Sequence, residues 1–269
     1  MTIMIYFHAM ENLAKYDLAF SIGHACACSM TLRAAKMQFA SFPLDWITGG
    51  TIATRTALVT SSFDGWMEKD DFEYLGTNPK NGLGMFKNRK TGFTHLHDFP
   101  DAPIETSLHD VSEKHRRRAQ RLTRLIESSS RILVVYLARP KETPLPLSDF
   151  TESLAALNRR FPGKDFDIIR FTCDSDRPFA SRLVSHPAEH VTEISFDYRD
   201  PKRDANMELT AQALIDLDVA VKDYRSAAER KAYDLKRKMK RYGVNTRTGL
   251  FFARLNARIL HMLGRDGKR

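Results

Sequence analysis

The chain has 269 residues, 42% of them hydrophobic and 28% charged, with a formal net charge of +9. That composition is ordinary for a soluble globular protein with a substantial core, and no apolar run approaches the roughly 20 residues that span a bilayer. Three cysteines, an odd number, exclude a disulfide framework and fit reduced thiols. The start, Met1-Thr2-Ile3-Met4-Ile5-Tyr6-Phe7-His8, lacks the basic region of a signal peptide, so a cytoplasmic protein is expected. Residues 225–269 hold 14 lysines and arginines against three acids, a balance of +11 that leaves the rest of the chain at −2. The expected organisation is therefore a near-neutral domain over 1–224 and a basic helical extension over 225–269.

Tyr16 to Ile22 predicts a strand in which Leu18, Phe20 and Ile22 alternate with Asp17, Ala19 and Ser21. Gly23 breaks it, and Ala25 to Gln38 has helical composition. Pro43-Leu44-Asp45-Trp46-Ile47 predicts a loop, and Thr51 to Ser62 a second helix. Gly76 to Gly92 predicts loops or a hairpin, and Phe93 to Phe99 an alternating strand closed by Pro100. Ser107 to Ser130 predicts a basic helix with Val111, Ala119, Leu122, Leu125 and Ile126 facing inward. Ile132 to Leu137 is the clearest buried strand. A helix capped by Ser148 and a strand over Phe166–Phe171 follow it, which predicts a parallel βαβ unit over 131–172. Val191 to Tyr198 predicts another strand, and Met207 to Tyr242 one long helix that becomes densely basic. The fold class expected is α/β, or α+β, with a central mixed sheet flanked by helices.

The chemistry concentrates in Ser21-Ile22-Gly23-His24-Ala25-Cys26. A strand, a glycine turn and a helix start place Cys26 in a first helical turn, where free amides and the dipole favour a thiolate and can hold an oxyanion. Cys28 points to another helical face, toward the core. A nucleophilic cysteine needs a base, usually histidine. His97 is the best candidate, because it ends a strand beside Asp98 and between Phe93 and Phe99. His95 shares its face by two-residue alternation, so the pattern alone does not separate the two. His24, Cys26, Cys28, His95 and His97 are all zinc-capable, but Cys-x-Cys is not a usual zinc spacing and no second pair completes a knuckle. No metal and no cofactor are expected.

Phe20-Ser21-Ile22-Gly23-His24-Ala25-Cys26, Leu32-Arg33, Pro43-Leu44-Asp45-Trp46-Ile47 and His97-Asp98-Phe99 occur in that order, and Lys114-His115-Arg116-Arg117-Arg118 follows on a helix before a buried strand. Together they resemble a bacterial family described as putative papain-like cysteine peptidases, over roughly residues 16–172. Its pattern runs Ser-Leu-Gly-x-x-Cys, Leu-Arg, Pro-Phe-Asp-Trp-Ile and His-Asp-Phe. This chain departs from it at Leu44 and in its second cysteine, Cys28. The resemblance implies Cys26 as nucleophile and His97 as base, with Asp98 or Asp45 as the orienting acid. Gly23, His24 and Trp46 are then the residues expected to meet substrate. Papain-like sheets are largely antiparallel, whereas 131–172 reads as parallel.

The function expected is a cysteine-dependent hydrolase or acyltransferase, with a possible place in bacterial surface-polysaccharide synthesis and a small-molecule, glycan or peptide substrate. The alternative is a non-catalytic carbohydrate- or nucleotide-binding α/β protein, with an anion at the Gly23 turn and Trp46 and Trp66 as stacking surfaces. The basic extension, with an apolar face of Phe251, Phe252, Leu255, Ile259, Leu260 and Leu263, fits an anionic membrane surface or a partner helix better than nucleic acid.

Overall fold

The run Ile132-Leu133-Val134-Val135-Tyr136-Leu137 has no polar face, and such a strand is stable where both sides of its sheet are covered. The computed structural model describes residues 15–23, 25–203 and 205–241, and it places this run inside a five-stranded sheet. The sheet order is β1 (Leu18–Ser21), β6 (Arg131–Leu137), β7 (Asp165–Cys173), β9 (Val191–Phe196) and β8 (Leu183–Ala188). The first four strands run parallel, and β8 closes the edge antiparallel. Helices α1 (Cys26–Ala34) and α5 (Met207–Asp216) cover one face, where Leu32, Leu133, Val135, Phe171, Ile194 and Leu214 share a core. Helix α4 (Leu147–Arg160) covers the other, with Phe150 edge-on to Tyr136 at 5.2 Å. Covering both faces also buries all four residues of β1, so its sequence alternation does not survive as an exposed side.

β6, α4 and β7 form the parallel βαβ unit expected over 131–172. Ser148 does not cap α4, because Pro146 holds the N-cap position with an extended backbone and Ser148 falls in the first turn.

A second, antiparallel sheet is inserted between β1 and β6. Its order is β2 (Ile47–Gly49), β5 (Phe93–Pro100), β4 (Leu83–Asn88) and β3 (Phe72–Thr77). Helix α2 (Ile52–Thr60) starts on Thr51, whose hydroxyl accepts from the Thr54 amide at 3.0 Å. Helix α3 (Leu108–Ser128) buries Val111, His115, Ala119, Leu122 and Ile126. Leu125 is only half-buried, and His115 takes a core position that the apolar pattern did not assign to it.

Two further expectations are corrected. Pro43–Trp46 is a short 3-10 turn rather than a loop, stabilised by its own Asp45 side chain. The single helix expected over 207–242 is two. α5 ends at Asp216, where Asp218 takes a left-handed backbone (φ 53°) and the Val219 amide reaches back to the Leu214 carbonyl at 3.2 Å. The following residues pair beside Tyr16, with Tyr16 N–H to Ala220 at 3.1 Å and Lys222 N–H to Tyr16 at 2.9 Å. β-Branched Val219 and Val221 suit that extended path better than a helix.

The chain divides into two compact units, Met1–Asp223 and Tyr224–Arg269. In the second, α6 (Ala227–Arg241) opens with a capping box: Glu229 N–H donates to Ser226 Oγ at 3.2 Å, and Ser226 N–H donates to Glu229 Oε2 at 2.8 Å. The apolar face expected over 251–263 lies outside the described residues. No described helix is long and apolar enough to cross a membrane.

Candidate functional site

The turn after β1 is held tightly. Ile22 N–H extends the parallel pairing to Val135 at 3.0 Å, and Gly23 N–H donates to Ser21 Oγ at 3.2 Å. Gly23 is buried, and its backbone is not left-handed. A Cβ there would lie 2.4 Å from Cys28 Cβ and 3.1 Å from the Leu137 amide nitrogen. The glycine is therefore required by the packing of α1 onto β6. Ala25 is the extended N-cap of α1, with no side-chain cap and no acid in the first turn. Cys26 is the first helical residue and is partly exposed. His24 lies outside the described residues.

Cys28 has the opposite environment. It is fully buried, donates to the Val135 carbonyl at 3.2 Å, and burial pushes its thiol up to about 11. That makes it an inert core thiol at neutral pH, as its helical face predicted.

The 3-10 turn links the cysteine helix to the histidine strand. Ser29 Oγ lies 3.1 Å from both the Cys26 and Asp45 carbonyl oxygens, sharing its proton between them. Asp45 is fully buried, and its Oδ2 accepts from Arg33 at 3.0 Å, Gln38 at 2.7 Å and the Phe42 amide at 2.9 Å. Burial pushes its carboxyl up, against the pull of Arg33 and these hydrogen bonds. Trp46 follows directly. Its ring carries the Arg33 guanidinium at 5.6 Å and stands edge-on to His97 at 6.5 Å.

His95 and His97 separate because β5 bulges. Between the pairs Phe86↔His95 and Gly84↔Phe99, β4 advances two residues while β5 advances four. The extra residues break the alternation, so His95 and Phe99 are buried, Asp98 turns inward and His97 is exposed. Asp98 Oδ2 accepts from His95 Nδ1 at 2.9 Å and His115 Nε2 at 3.1 Å, and Oδ1 accepts from Lys114 at 2.6 Å. Burial alone would push the Asp98 carboxyl up; the hydrogen bonds from His115 and His95 outweigh it and hold the group well below the usual carboxylate range. Burial pushes His115 down to about 4, against the pull of Asp98. Trp66 packs on both rings, at 5.9 Å from His95 and 5.1 Å from His115, and is buried, so it offers no external stacking surface.

His97 has a different partner. Asn81 Nδ2 lies 3.1 Å from His97 Nδ1 and 3.0 Å from the Leu96 carbonyl, while Asn81 Oδ1 accepts from the Leu83 amide at 3.0 Å. These contacts fix the amide orientation, so Asn81 donates to Nδ1 and a neutral His97 ring carries its proton on Nε2.

Among the described residues, the zinc-capable set of Cys26, Cys28, His95 and His97 is not assembled as ligands. His95, Asp98 and His115 are close enough to share an ion, but the Lys114 ammonium already occupies the cation position on Asp98.

The carboxyl ends of the parallel strands are where open α/β sheets bind ligands. A cleft of about 770 Å³ opens there, lined by Arg139, Glu142, Asp197, Arg199 and Arg203 among others. Arg139 also donates to Thr48 Oγ1 at 2.5 Å, which joins the end of β6 to β2. Arg55 is buried, donating to the Gly49 carbonyl at 2.8 Å, and burial lowers its pKa to about 10.

Of the residues expected from sequence, Trp46 and His97 are brought together, and Ser29 ties the Cys26 turn to Asp45. Asp45 and Asp98 hydrogen-bond other partners: Asp45 clamps the 3-10 turn, and Asp98 faces the buried histidines. His115 and Asn81 are polar residues to which the sequence pattern gave no role, and His95, which the pattern did not separate from His97, belongs to the buried network instead. A histidine at an inward α3 position was the one available signal for His115.

No curated protein and no solved structure gives a significant match to the chain. Residues 17–176, more than half of the chain, match the family described as putative papain-like cysteine peptidase, a domain of unknown function. The segment spans β1, the Cys26 turn, the antiparallel sheet, α3 and the βαβ unit, and the chain belongs to this family.

Proposed function

We propose that the protein is a cysteine-dependent hydrolase or acyltransferase, with Cys26 as nucleophile and His97 as the proton-transfer group. The observation that carries this reading is the Trp46 bridge. Ser29 fastens the Cys26 turn to the backbone of Asp45, and the next residue, Trp46, sets its ring against His97.

In this mechanism the Cys26 thiol proton passes to His97 and the sulfur attacks a carbonyl carbon, forming a C–S bond and a tetrahedral oxyanion. Amides at the start of α1 stabilise that oxyanion. Collapse of the intermediate expels the leaving group, which takes the proton from His97, and leaves a thioester. Water, or a hydroxyl such as that of a sugar, then gives its proton to His97 and displaces the sulfur. A sugar acceptor would suit the partly exposed Trp46 ring and the surface-polysaccharide role that the family resemblance suggests. For Nδ1 to act as the base, the Asn81 amide must give way.

The test is acylation of the full chain with p-nitrophenyl acetate. An acetyl group mapped to Cys26, absent from Cys26→Ser and slow to form in His97→Ala, is the expected result. Acetylation spread over surface lysines, and unchanged in Cys26→Ser, contradicts it.

A membrane partner is favoured for the second unit. α6 carries seven lysines and arginines against Glu229 and Asp234, and Ala228, Ala232, Leu235 and Met239 recur on one face at helical spacing. Flotation of the full chain with phosphatidylserine vesicles, lost on truncation after residue 224, is expected. Equal flotation of both forms removes this reading, and binding to a polynucleotide alone replaces it.

A further inference from the structure

Lys114, Arg118 and Arg121 stand at positions i, i+4 and i+7 of α3, so they share one face of the helix. Lys114 reaches Asp98 at 2.6 Å, and Arg121 donates to the Ser41 carbonyl at 3.1 Å. Arg33 approaches the same region from α1, pairing with Asp45 at 3.0 Å and covering the Trp46 ring. Arg118 lies among them, within the electrostatic reach of Asp98, Asp45, Arg121 and Arg33. Four cations thus face two carboxylates, which leaves a surplus of two positive charges beside Trp46 and the β5 bulge.

Arg118 is the unusual member. Among the described residues it makes no hydrogen bond and no ion pair, and its Nη1 is buried with no partner. Burial lowers its pKa, with Asp98 and Asp45 opposing. An unsatisfied, partly desolvated guanidinium is costly to the fold, and an anion that completes it recovers that cost. Asp98 cannot serve, since Lys114 takes one of its oxygens and the two histidines take the other. The adjacent Arg116 behaves differently: it lies on the exposed face in a two-point pair with Glu113, at 2.8 and 2.7 Å.

We propose that Lys114, Arg118, Arg121 and Arg33 form a binding site for an oxyanion, a phosphate or carboxylate group carried by the substrate, with Arg118 as its principal ligand. The guanidinium fork matches the paired oxygens of either group, and Lys114 and Arg121 add charge from the same helix face. The substrate class becomes an acyl donor or acceptor bearing such a group. This assignment of substrate rests on the Cys26–His97 reading, whereas binding of the anion does not need it.

The test is calorimetric titration of the full chain with inorganic phosphate, and separately with acetate, at ionic strength held constant with chloride. Saturable binding of at least one anion is expected, weakened tenfold or more in Arg118→Gln and also reduced in Arg121→Gln. Arg116→Gln should bind as the wild type does. Phosphate binding alone assigns a phosphorylated substrate, and acetate binding of comparable strength assigns a carboxylate. Equal binding by wild type and Arg118→Gln, or no saturable binding of either anion, overturns the proposal. Cys26→Ser keeps the binding if the site is real, so loss of the catalytic reading and loss of the anion site are told apart.

Discussion

Asp98 turns away from its neighbour His97 and accepts a hydrogen bond from His95 Nδ1 at 2.9 Å. Adjacent residues of one strand therefore have separate duties: the aspartate anchors a buried network, and the histidine faces outward beside Trp46. Neighbours on a strand point to opposite faces in any case; the β5 bulge decides that Asp98, not His97, is the one that joins His95 inside.

This division predicts opposite mutational signatures. Asp98→Ala removes the acceptor shared by two buried imidazoles and Lys114, and should cost about 3–5 kcal/mol in urea unfolding. His97→Ala should change stability by no more than about 0.5 kcal/mol while slowing acyl transfer. A stable Asp98→Ala protein would assign the network no structural role.

The same network sets a pH dependence. Burial lowers His115 from 6.5 to about 4, so between those values the unfolded chain binds a proton that the folded chain excludes. Stability should therefore fall as pH drops from 6.5 to 4. Below that the depressed Asp98 carboxyl acts in the same direction, because the unfolded chain protonates it first. Urea midpoints measured at pH 7, 5.5 and 4 should decline in that order; a flat series contradicts the buried, neutral His115.

Gly23 should tolerate no side chain. Gly23→Ala places a methyl group 2.4 Å from Cys28 Cβ and should cost about 1–3 kcal/mol through displacement of α1. Adding Cys28→Ala should give no rescue, since alanine keeps the Cβ in conflict. Thermal denaturation of the single and double variants checks this.

Much of the architecture was legible in the sequence because it follows from local pattern. The apolar run at 132–137, the βαβ unit and the glycine turn before Cys26 are short-range features, and all are observed. The fate of 207–242 was not, because the chain leaves the helix to pair with Tyr16, about 200 residues earlier in the sequence. The partner of Asp98 was hidden for a related reason. A bulge shows only in the register between strands, so two-residue alternation put His95 and His97 on the same face. The family resemblance made Asp45 a candidate orienting acid, but Arg33, Gln38 and the Phe42 amide claim its accepting oxygen.

Asn81 gives a prediction with a definite sign. Its amide proton occupies the Nδ1 lone pair of His97, and Asn81→Ala opens that lone pair. Alkylation of Cys26 at neutral pH should then be several-fold faster. Slower alkylation would instead make Asn81 an orienting partner that the reaction needs.

The central claim is that Cys26 is the reactive thiol and depends on His97. Mass-spectrometric rates of iodoacetamide labelling at pH 7 measure this directly for all three cysteines. Burial raises the pKa of both Cys28 and Cys173, so both should label slowly. Cys26 should label fastest, and His97→Ala should slow it, because the thiol loses its proton acceptor and less of it is present as thiolate. Equal, slow labelling of the three thiols, or a Cys26 rate untouched by His97→Ala, contradicts it.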